Sequence, residues 1–109
     1  IDARSGPRFR ATEAEPRPGL AGGHIPGSKN LPSSQLVNTD GTLKSHDELV
    51  RLFDDAGIDL KRPIITTCGS GVSACILALG LAVLNREQVA VYDGSWAEWG
   101  AVKGLPIEV

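Results

Sequence analysis

The chain has 109 residues, and 11 Lys and Arg against 13 Asp and Glu give a formal net charge of -2. This length fits one domain with one hydrophobic core, and 41% hydrophobic with 22% charged residues is typical of a globular protein. The charge gives no reason to bind nucleic acid, and no apolar run is long enough to span a membrane. The two cysteines are too few for a disulfide framework and wrongly spaced for a zinc site.

The first third of the chain has few apolar residues. Residues 1–3 resemble the end of a strand with no initiator Met, signal peptide or transit segment before it, so we expect a piece of a longer polypeptide that is cytoplasmic. Residues 4–23 are rich in Arg, Pro, Gly and Glu and predict a long surface loop of the kind that often carries function. Residues 23–27 then predict a turn, and residues 29–32 a short extended segment.

A helix with clear boundaries is predicted over residues 46–56. Ser45 followed by Glu48 is the pattern of a capping box, and Gly57 is placed to terminate the helix. Four apolar residues at helical spacing form one stripe that should pack on a core. These are Leu49, Leu52, Phe53 and Ala56.

Two strands and a second helix follow. Residues 63–67 are β-branched and predict a buried parallel strand, and residues 89–92 predict another buried strand. Between them, residues 72–84 are apolar on all sides, which predicts a helix buried over most of its surface, and Gly80 within it indicates close packing against a neighbour. This alternation predicts an α/β fold with a mostly parallel sheet, in which Cys68 and Asp93 lie at the carboxyl ends of strands, where chemistry usually occurs.

The segment that begins at Cys68 favours a reactive thiolate. A strand ends, a loop containing Gly69 and Gly71 turns sharply, and a helix begins. Glycines allow successive amide groups to converge on one point, and the positive end of the helix faces the same way. We therefore interpret Cys68 as a nucleophile, whereas Cys75, among apolar residues of the helix, is interpreted as an inert core residue.

Other cysteine and serine chemistries fit less well. A cysteine phosphatase needs an Arg at the end of its loop, but no Arg or Lys occurs between Cys68 and Arg86. No nucleophile-elbow pattern is present for a Ser-His-Asp hydrolase. His24 is expected to stabilise its turn by hydrogen bonding, and His46 to be solvated at the start of a helix.

Three motifs together resemble the rhodanese (sulfurtransferase) family. They are Gly23-His24-Ile25-Pro26-Gly27 with Asn30 and Pro32, the loop Cys68-Gly-Ser-Gly-Val-Ser-Ala, and Asp93-Gly94-Ser95-Trp96 with Trp99. They occur in the family order over nearly the whole chain, and the neutral loop is closest to the C-terminal catalytic domain of the mercaptopyruvate-using members. The resemblance implies a three-layer α/β fold with a mostly parallel central sheet flanked by helices, and one domain over residues 1–109 that is the C-terminal half of a tandem protein.

The resemblance also implies roles for individual residues. Cys68 would carry a persulfide, and Ser70 would assist proton transfer at the sulfur donor. Arg8 and Arg17 would bind the donor carboxylate through bidentate hydrogen bonds. Loop amides would stabilise the transferred sulfur, which makes four further loop residues substrate-binding candidates: Gly69, Gly71, Val72 and Ser73.

The remaining charged and aromatic candidates are expected to be mainly structural. Arg10 is a third, less favoured cation of the long loop, and Arg4 is expected to pair with a buried carboxylate. Ser73 and Asp93 should stabilise the cysteine loop, while Trp96 and Trp99 should pack in the core and at its rim.

By resemblance, the reaction moves sulfur from 3-mercaptopyruvate to a thiol such as thioredoxin or to cyanide, without a cofactor. Two alternatives stay open: thiosulfate as the donor, and a non-enzymatic carrier that receives persulfide from a partner. The family's active sites lie between two rhodanese domains, so an N-terminal rhodanese domain absent from this chain is an expected partner.

Overall fold

A computed structural model describes all 109 residues and contains helices around a small parallel sheet. In chain order the elements are α1 (Gly6–Phe9), a 3-10 helix (Ser33–Leu36), α2 (His46–Asp55), β1 (Ile64–Thr66), α3 (Ala74–Val83), β2 (Val89–Val91) and α4 (Ser95–Trp99). None of these helices combines the length and the hydrophobicity needed to cross a membrane.

The two strands of the sheet are parallel. β1 and β2 pair in register from Ile64 with Val89 to Thr66 with Val91. On the other side of β1, Asp2 forms isolated parallel bridges to Thr67 and to Asn30, so residues 1–3 and 29–32 extend the sheet by single bridges. The predicted α/β class is confirmed, and the two strands are shorter than the sequence pattern predicts.

α2 forms where its capping signals predict. The Ser45 hydroxyl accepts a hydrogen bond from the Glu48 amide, and the Glu48 carboxylate accepts one from the Ser45 amide. Leu49 and Phe53 are fully buried on its apolar stripe, and Gly57, with φ +79°, follows the helix end in a conformation that favours glycine.

α3 is the central helix of the fold. It contacts β1, β2 and the 3-10 helix, and Leu77 and Leu81 on it are completely buried. A Cβ placed at Gly80 would lie 2.8 Å from Leu36 Cδ2, which confirms the predicted close approach. The core of the molecule therefore lies between α3, α2 and one face of the sheet.

Two of the burial predictions are wrong. No residue of β2 is buried, and Ile65 at the middle of β1 is 62% exposed. In β1 the reason is that successive strand residues point to opposite faces, and α3 covers only one face, on which Ile64 and Thr66 are buried. β2 lies at the edge of the sheet. A short apolar run does not distinguish a strand covered on both faces from one covered on a single face.

The prediction that Cys75 is a core residue is also wrong. Cys75 is exposed, and Leu79 and Val83 on the same helix are 53% and 44% exposed. Because α3 is apolar on all sides, its sequence does not indicate which side packs on the sheet. The Cys75 thiol donates a hydrogen bond to the Gly71 carbonyl at 3.3 Å.

Candidate functional site

Six of the eight predicted site residues line one pocket. Cys68, Ser70, Arg8 and Arg17 surround a cavity of about 450 Å³ at the carboxyl end of β1. Gly69 and Ser73 of the cysteine loop contribute to the same wall, and Ser33 and Ser34 of the 3-10 helix line it as well. The N-terminal segment, the cysteine loop and the 3-10 helix thus converge on one place, although they are far apart in the sequence. The predicted loop over residues 4–23 is interrupted by the short helix α1 (Gly6–Phe9), which carries Arg8.

The turn after β1 holds the Cys68 thiol against the Gly71 backbone amide. Cys68 is only 2% exposed, and the Gly71 amide donates a hydrogen bond to its Sγ at 3.0 Å. Gly71 has φ +98°, and a Cβ there would lie 2.8 Å from the Asp93 carbonyl oxygen. Only glycine meets both requirements, so the tight turn depends on this residue.

The amides of the next loop residues are available to an incoming group. Those of Ser70, Val72 and Ser73 donate no hydrogen bond to another atom of the protein. An amide that lacks a protein partner can donate to water or to an anion.

The start of α4 fixes the cysteine loop from the other side. The Ser95 hydroxyl accepts a hydrogen bond from the Cys68 amide at 3.1 Å, and the Trp96 and Ala97 amides donate to the carbonyls of Cys68 and Gly69. Ser95 belongs to the third sequence motif, but its contact with the cysteine loop was not predicted. Ser95 follows the Asp93-Gly94 turn at the carboxyl end of β2, the strand beside β1. This position is the sequence signal that could have placed Ser95 near Cys68.

Arg8 and Arg17 both reach the cysteine loop. A Cβ placed at Gly69 would lie 2.8 Å from Arg8 Nη2 and 3.8 Å from Arg17 Nη1. The Arg8 guanidinium therefore occupies the space in which a side chain at position 69 would begin, and that of Arg17 lies at ordinary contact distance from it. No ion pair of the structure includes Arg17.

Glu15 is a second site residue that the sequence analysis missed. Its carboxylate accepts hydrogen bonds from Arg8 Nε at 3.0 Å and from Arg8 Nη2 at 2.8 Å, and its side chain is 1% exposed. Burial alone would raise the pKa of the Glu15 carboxyl, but the hydrogen bonds from Arg8 and the charges of Arg4 and Arg8 hold it below its usual value. The same hydrogen bonds raise the pKa of Arg8. Both groups are therefore charged at neutral pH.

Arg4 is buried and connects this cluster to the rest of the fold. It pairs with Asp2 at 2.8 Å and donates to the Gly23 carbonyl at 2.7 Å. Its guanidinium lies 4.6 Å from the ring centroid of Trp96, a cation–π contact. The expectation that Arg4 pairs with a buried carboxylate is confirmed, and Arg4 also lines the pocket wall.

Three other candidates lie outside the pocket wall. Val72 is 73% exposed, and neither Val72 nor Gly71 lines the cavity. Arg10 lies against Gly6, with Nη1 2.8 Å from the position of a Cβ there, and does not line the cavity. A role for Gly71 and Val72 in substrate binding stays a prediction.

The histidines and tryptophans are structural, but His24 does not stabilise its own turn as predicted, because its ring contacts Phe9 and Glu108 instead. The Nδ1 atom of His24 lies 2.8 Å from the Phe9 carbonyl oxygen, and its ring stacks on that of Phe9. The His46 side chain is 62% exposed. Trp96 is 1% exposed, and Trp99 packs edge-on against Tyr92.

The chain matches the family model described as "Rhodanese-like domain" over residues 1–102. It is 51% identical over 108 residues to the 3-mercaptopyruvate sulfurtransferase of Escherichia coli (strain K12), covering 99% of this chain and 38% of the relative. It is also 51% identical over 108 residues to "Thiosulfate/3-mercaptopyruvate sulfurtransferase 1, mitochondrial" of Arabidopsis thaliana, covering 99% of this chain and 28% of that protein. The chain therefore spans well under half the length of these relatives.

Solved structures show the same fold. The SseA 3-mercaptopyruvate sulfurtransferase of Escherichia coli superposes with a TM-score of 0.73 at 45% identity, over 87% of this chain and 34% of that chain. The Tum1 protein of Saccharomyces cerevisiae superposes with a TM-score of 0.84 at 38% identity, over 94% of this chain and 36% of that chain. Together with the cysteine loop and its pocket, these similarities show that the chain belongs to the rhodanese family.

Proposed function

We propose that this domain transfers sulfur from 3-mercaptopyruvate to a thiol or cyanide acceptor through a persulfide on Cys68. The observation that supports the proposal most strongly is the shared pocket, which places a buried thiol, the Ser70 hydroxyl and two arginines around one cavity. Relatives at 46–51% identity are named 3-mercaptopyruvate sulfurtransferase, which supports this sulfur donor and the transfer of sulfur.

The first half-reaction would form the persulfide. The Cys68 thiolate attacks the donor sulfur, and the carbon–sulfur bond breaks with its electron pair going to the carbon. Pyruvate leaves as its enolate, and the proton of the donor thiol, relayed by Ser70, ends on the pyruvate methyl group. The Gly71 amide and the unpaired amides of the loop would stabilise the charged terminal sulfur.

The second half-reaction would return the enzyme to its thiolate form. An acceptor thiolate, such as that of thioredoxin, or a cyanide ion attacks the terminal sulfur of the persulfide. The sulfur–sulfur bond breaks, and its electron pair stays on Cys68.

A cytoplasmic location remains a prediction, because one relative's name describes it as mitochondrial.

The two arginines support a donor that bears a carboxylate. Planar guanidinium groups bind carboxylates through paired hydrogen bonds, and both lie beside the loop that carries the thiol. Thiosulfate is the second candidate donor, since relatives named for thiosulfate sulfurtransfer include one that is 46% identical over 100 residues, from Cricetulus griseus.

Intact-mass spectrometry tests the proposal. We expect the chain to gain one sulfur atom when exposed to 3-mercaptopyruvate, and more slowly when exposed to thiosulfate. Cys68→Ser should abolish the gain, and Cys75→Ser, which alters the other cysteine, should retain it. A gain that survives in Cys68→Ser would overturn the assignment of the nucleophile.

If the wild-type chain gains no sulfur from either donor, the same test on the longer polypeptide would separate the two remaining explanations. Gain by the longer protein would mean that an N-terminal rhodanese domain completes the site. Gain only from a persulfide-bearing partner protein would favour a carrier.

A further inference from the structure

A buried acidic residue contacts two of the three arginines that line the pocket. The Glu15 carboxylate is bound by Arg8 through two hydrogen bonds and lies 3.3 Å from Arg4 Nη1. Its side chain is 1% exposed, so water screens these interactions weakly. A carboxylate placed behind the arginines lowers the total positive charge of the pocket and should therefore weaken its attraction for anions. The structure must gain something else from Glu15.

Glu15 sets the net charge of the pocket. Arg4, Arg8 and Arg17 are the charged residues of the pocket wall. Asp2 neutralises Arg4, and Glu15 neutralises Arg8, whereas Arg17 has no ion-pair partner. Before the Cys68 thiol ionises, the three cations and two anions thus leave a single net positive charge. Such a site balances one negative charge on a ligand and leaves a second one uncompensated.

Glu15 also determines which donors Arg8 can offer. A guanidinium has five N–H groups in a fixed planar fork. Glu15 occupies Nε and one hydrogen of Nη2, so the edge formed by Nη1 and the second hydrogen of Nη2 is the one left for a ligand. Two parallel donors on that edge match the spacing of the oxygens of a carboxylate.

We propose that Glu15 is the specificity-determining residue of this pocket: it holds Arg8 in place and reduces the net charge so that a monoanionic carboxylate binds in preference to a dianion. The inference rests on the proposed function, because it explains why a donor such as 3-mercaptopyruvate is preferred to thiosulfate. It assigns this preference to a residue outside the cysteine loop.

Binding of two unreactive probes tests the inference in the absence of any turnover. Pyruvate represents the monoanionic donor and sulfate the dianionic one, and NMR titration gives a Kd for each. In Glu15→Gln, we expect the ratio of the sulfate Kd to the pyruvate Kd to fall about tenfold, because the added unit of positive charge favours the dianion. Glu13→Gln makes the same charge change at an exposed position of the same loop and should leave the ratio within about twofold.

A second variant separates charge from position. Glu15→Asp keeps the charge but shortens the side chain, so both affinities should weaken while their ratio stays within about twofold. An unchanged ratio in Glu15→Gln, or a ratio in Glu15→Asp that shifts as in Glu15→Gln, would overturn the inference. If Glu15→Gln does not fold in a thermal melt, a Glu15→Asp ratio that shifts by more than about twofold would still overturn the inference.

The failure of this inference can be told apart from the failure of the proposed function. Sulfur gain by the wild-type chain together with an unchanged Glu15→Gln ratio would retain the sulfur transfer and reject the role of Glu15. A shifted ratio without sulfur gain would support the role of Glu15 in selecting anions and reject sulfur transfer by this domain alone. A wild-type chain that binds sulfate as tightly as pyruvate would reject the inference outright.

Discussion

The hydroxyl of Ser95 accepts a hydrogen bond from the backbone amide of Cys68 at 3.1 Å and donates one to the Tyr92 carbonyl at 2.8 Å. The same oxygen lies 4.0 Å from Cys68 Sγ. Ser95 has φ +51°, a left-handed conformation that is costly for a residue other than glycine. These hydrogen bonds offset that cost and join the start of α4 to the end of β1, so they hold Cys68 in position.

Ser95→Ala should therefore destabilise the protein. The substitution leaves the buried Cys68 amide without its acceptor and keeps the strained backbone, and we expect the free energy of unfolding to fall by about 1–3 kcal/mol. Urea denaturation followed by circular dichroism measures the change. Ser34→Ala, at an exposed serine of the pocket rim, should stay within about 0.5 kcal/mol of the wild type, and equal stability of the two variants would contradict the role of Ser95.

Gly69→Ala should weaken donor binding through Arg8. The new Cβ would lie 2.8 Å from Arg8 Nη2, so the guanidinium must move away from the loop. We expect the KM for 3-mercaptopyruvate to rise about tenfold, the effect of losing one well-placed charged hydrogen bond. A double-mutant cycle supplies the control: in an Arg8→Ala background, Gly69→Ala should have little further effect. An equal effect in both backgrounds would mean that the methyl group acts on something other than Arg8.

Gly80→Ala should destabilise the protein even though alanine favours helices. The intrinsic gain in helix propensity is about 1 kcal/mol, but the Cβ would lie 2.8 Å from Leu36 Cδ2 and would overpack the core. Overpacking costs about 1–3 kcal/mol, so we expect a net loss measurable as a lower Tm. Leu36→Val, which shortens the opposing side chain, should reduce the loss caused by Gly80→Ala. A higher Tm for Gly80→Ala alone would show that the contact relaxes at no cost.

The parts of the fold that local sequence determines could be predicted. The α2 boundaries follow from Ser45, Glu48 and Gly57, which act within one helical turn of the helix ends. α3 differs because its sequence is apolar on every side. The exposure of Cys75 depends on where the sheet lies, and no residue near it in the sequence indicates that.

In the site, too, the residues that are close in sequence could be predicted, and the contacts between distant residues could not. Cys68 and its glycine loop form one continuous segment, and this segment alone indicates a nucleophile. Glu15 acts on Arg8 from seven positions away through an irregular loop, and Ser95 acts on Cys68 across 27 positions. No helical or strand periodicity relates such pairs, so only the folded chain shows that they are in contact.

The ionised state of Glu15 predicts how stability depends on pH. The pKa of Glu15 is lower in the folded protein than its usual value of 4.5, so the unfolded chain binds a proton more readily. The stabilisation is present above pH 4.5 and is lost as the pH falls through the folded pKa. Thermal melts between pH 7 and pH 3 should show a steeper loss of Tm for the wild type than for Glu15→Gln. Glu13→Gln should follow the wild type, and parallel curves for all three proteins would contradict the prediction.

Tyr92 should titrate abnormally late, and it is the single tyrosine of the chain. Its hydroxyl donates a hydrogen bond to the Glu98 carboxylate, and this hydrogen bond raises the pKa of Tyr92 from 10.0 to about 12. Because the folded pKa is raised, the stabilisation is present below pH 10 and is lost as the pH rises towards 12. The ultraviolet absorbance of tyrosinate should therefore be small at pH 10, where an ordinary tyrosine is half ionised. Glu98→Gln, which removes the acceptor charge, should return the midpoint towards 10, as should unfolding in urea. A wild-type midpoint near 10 under folding conditions would mean that the Tyr92–Glu98 hydrogen bond does not persist in solution.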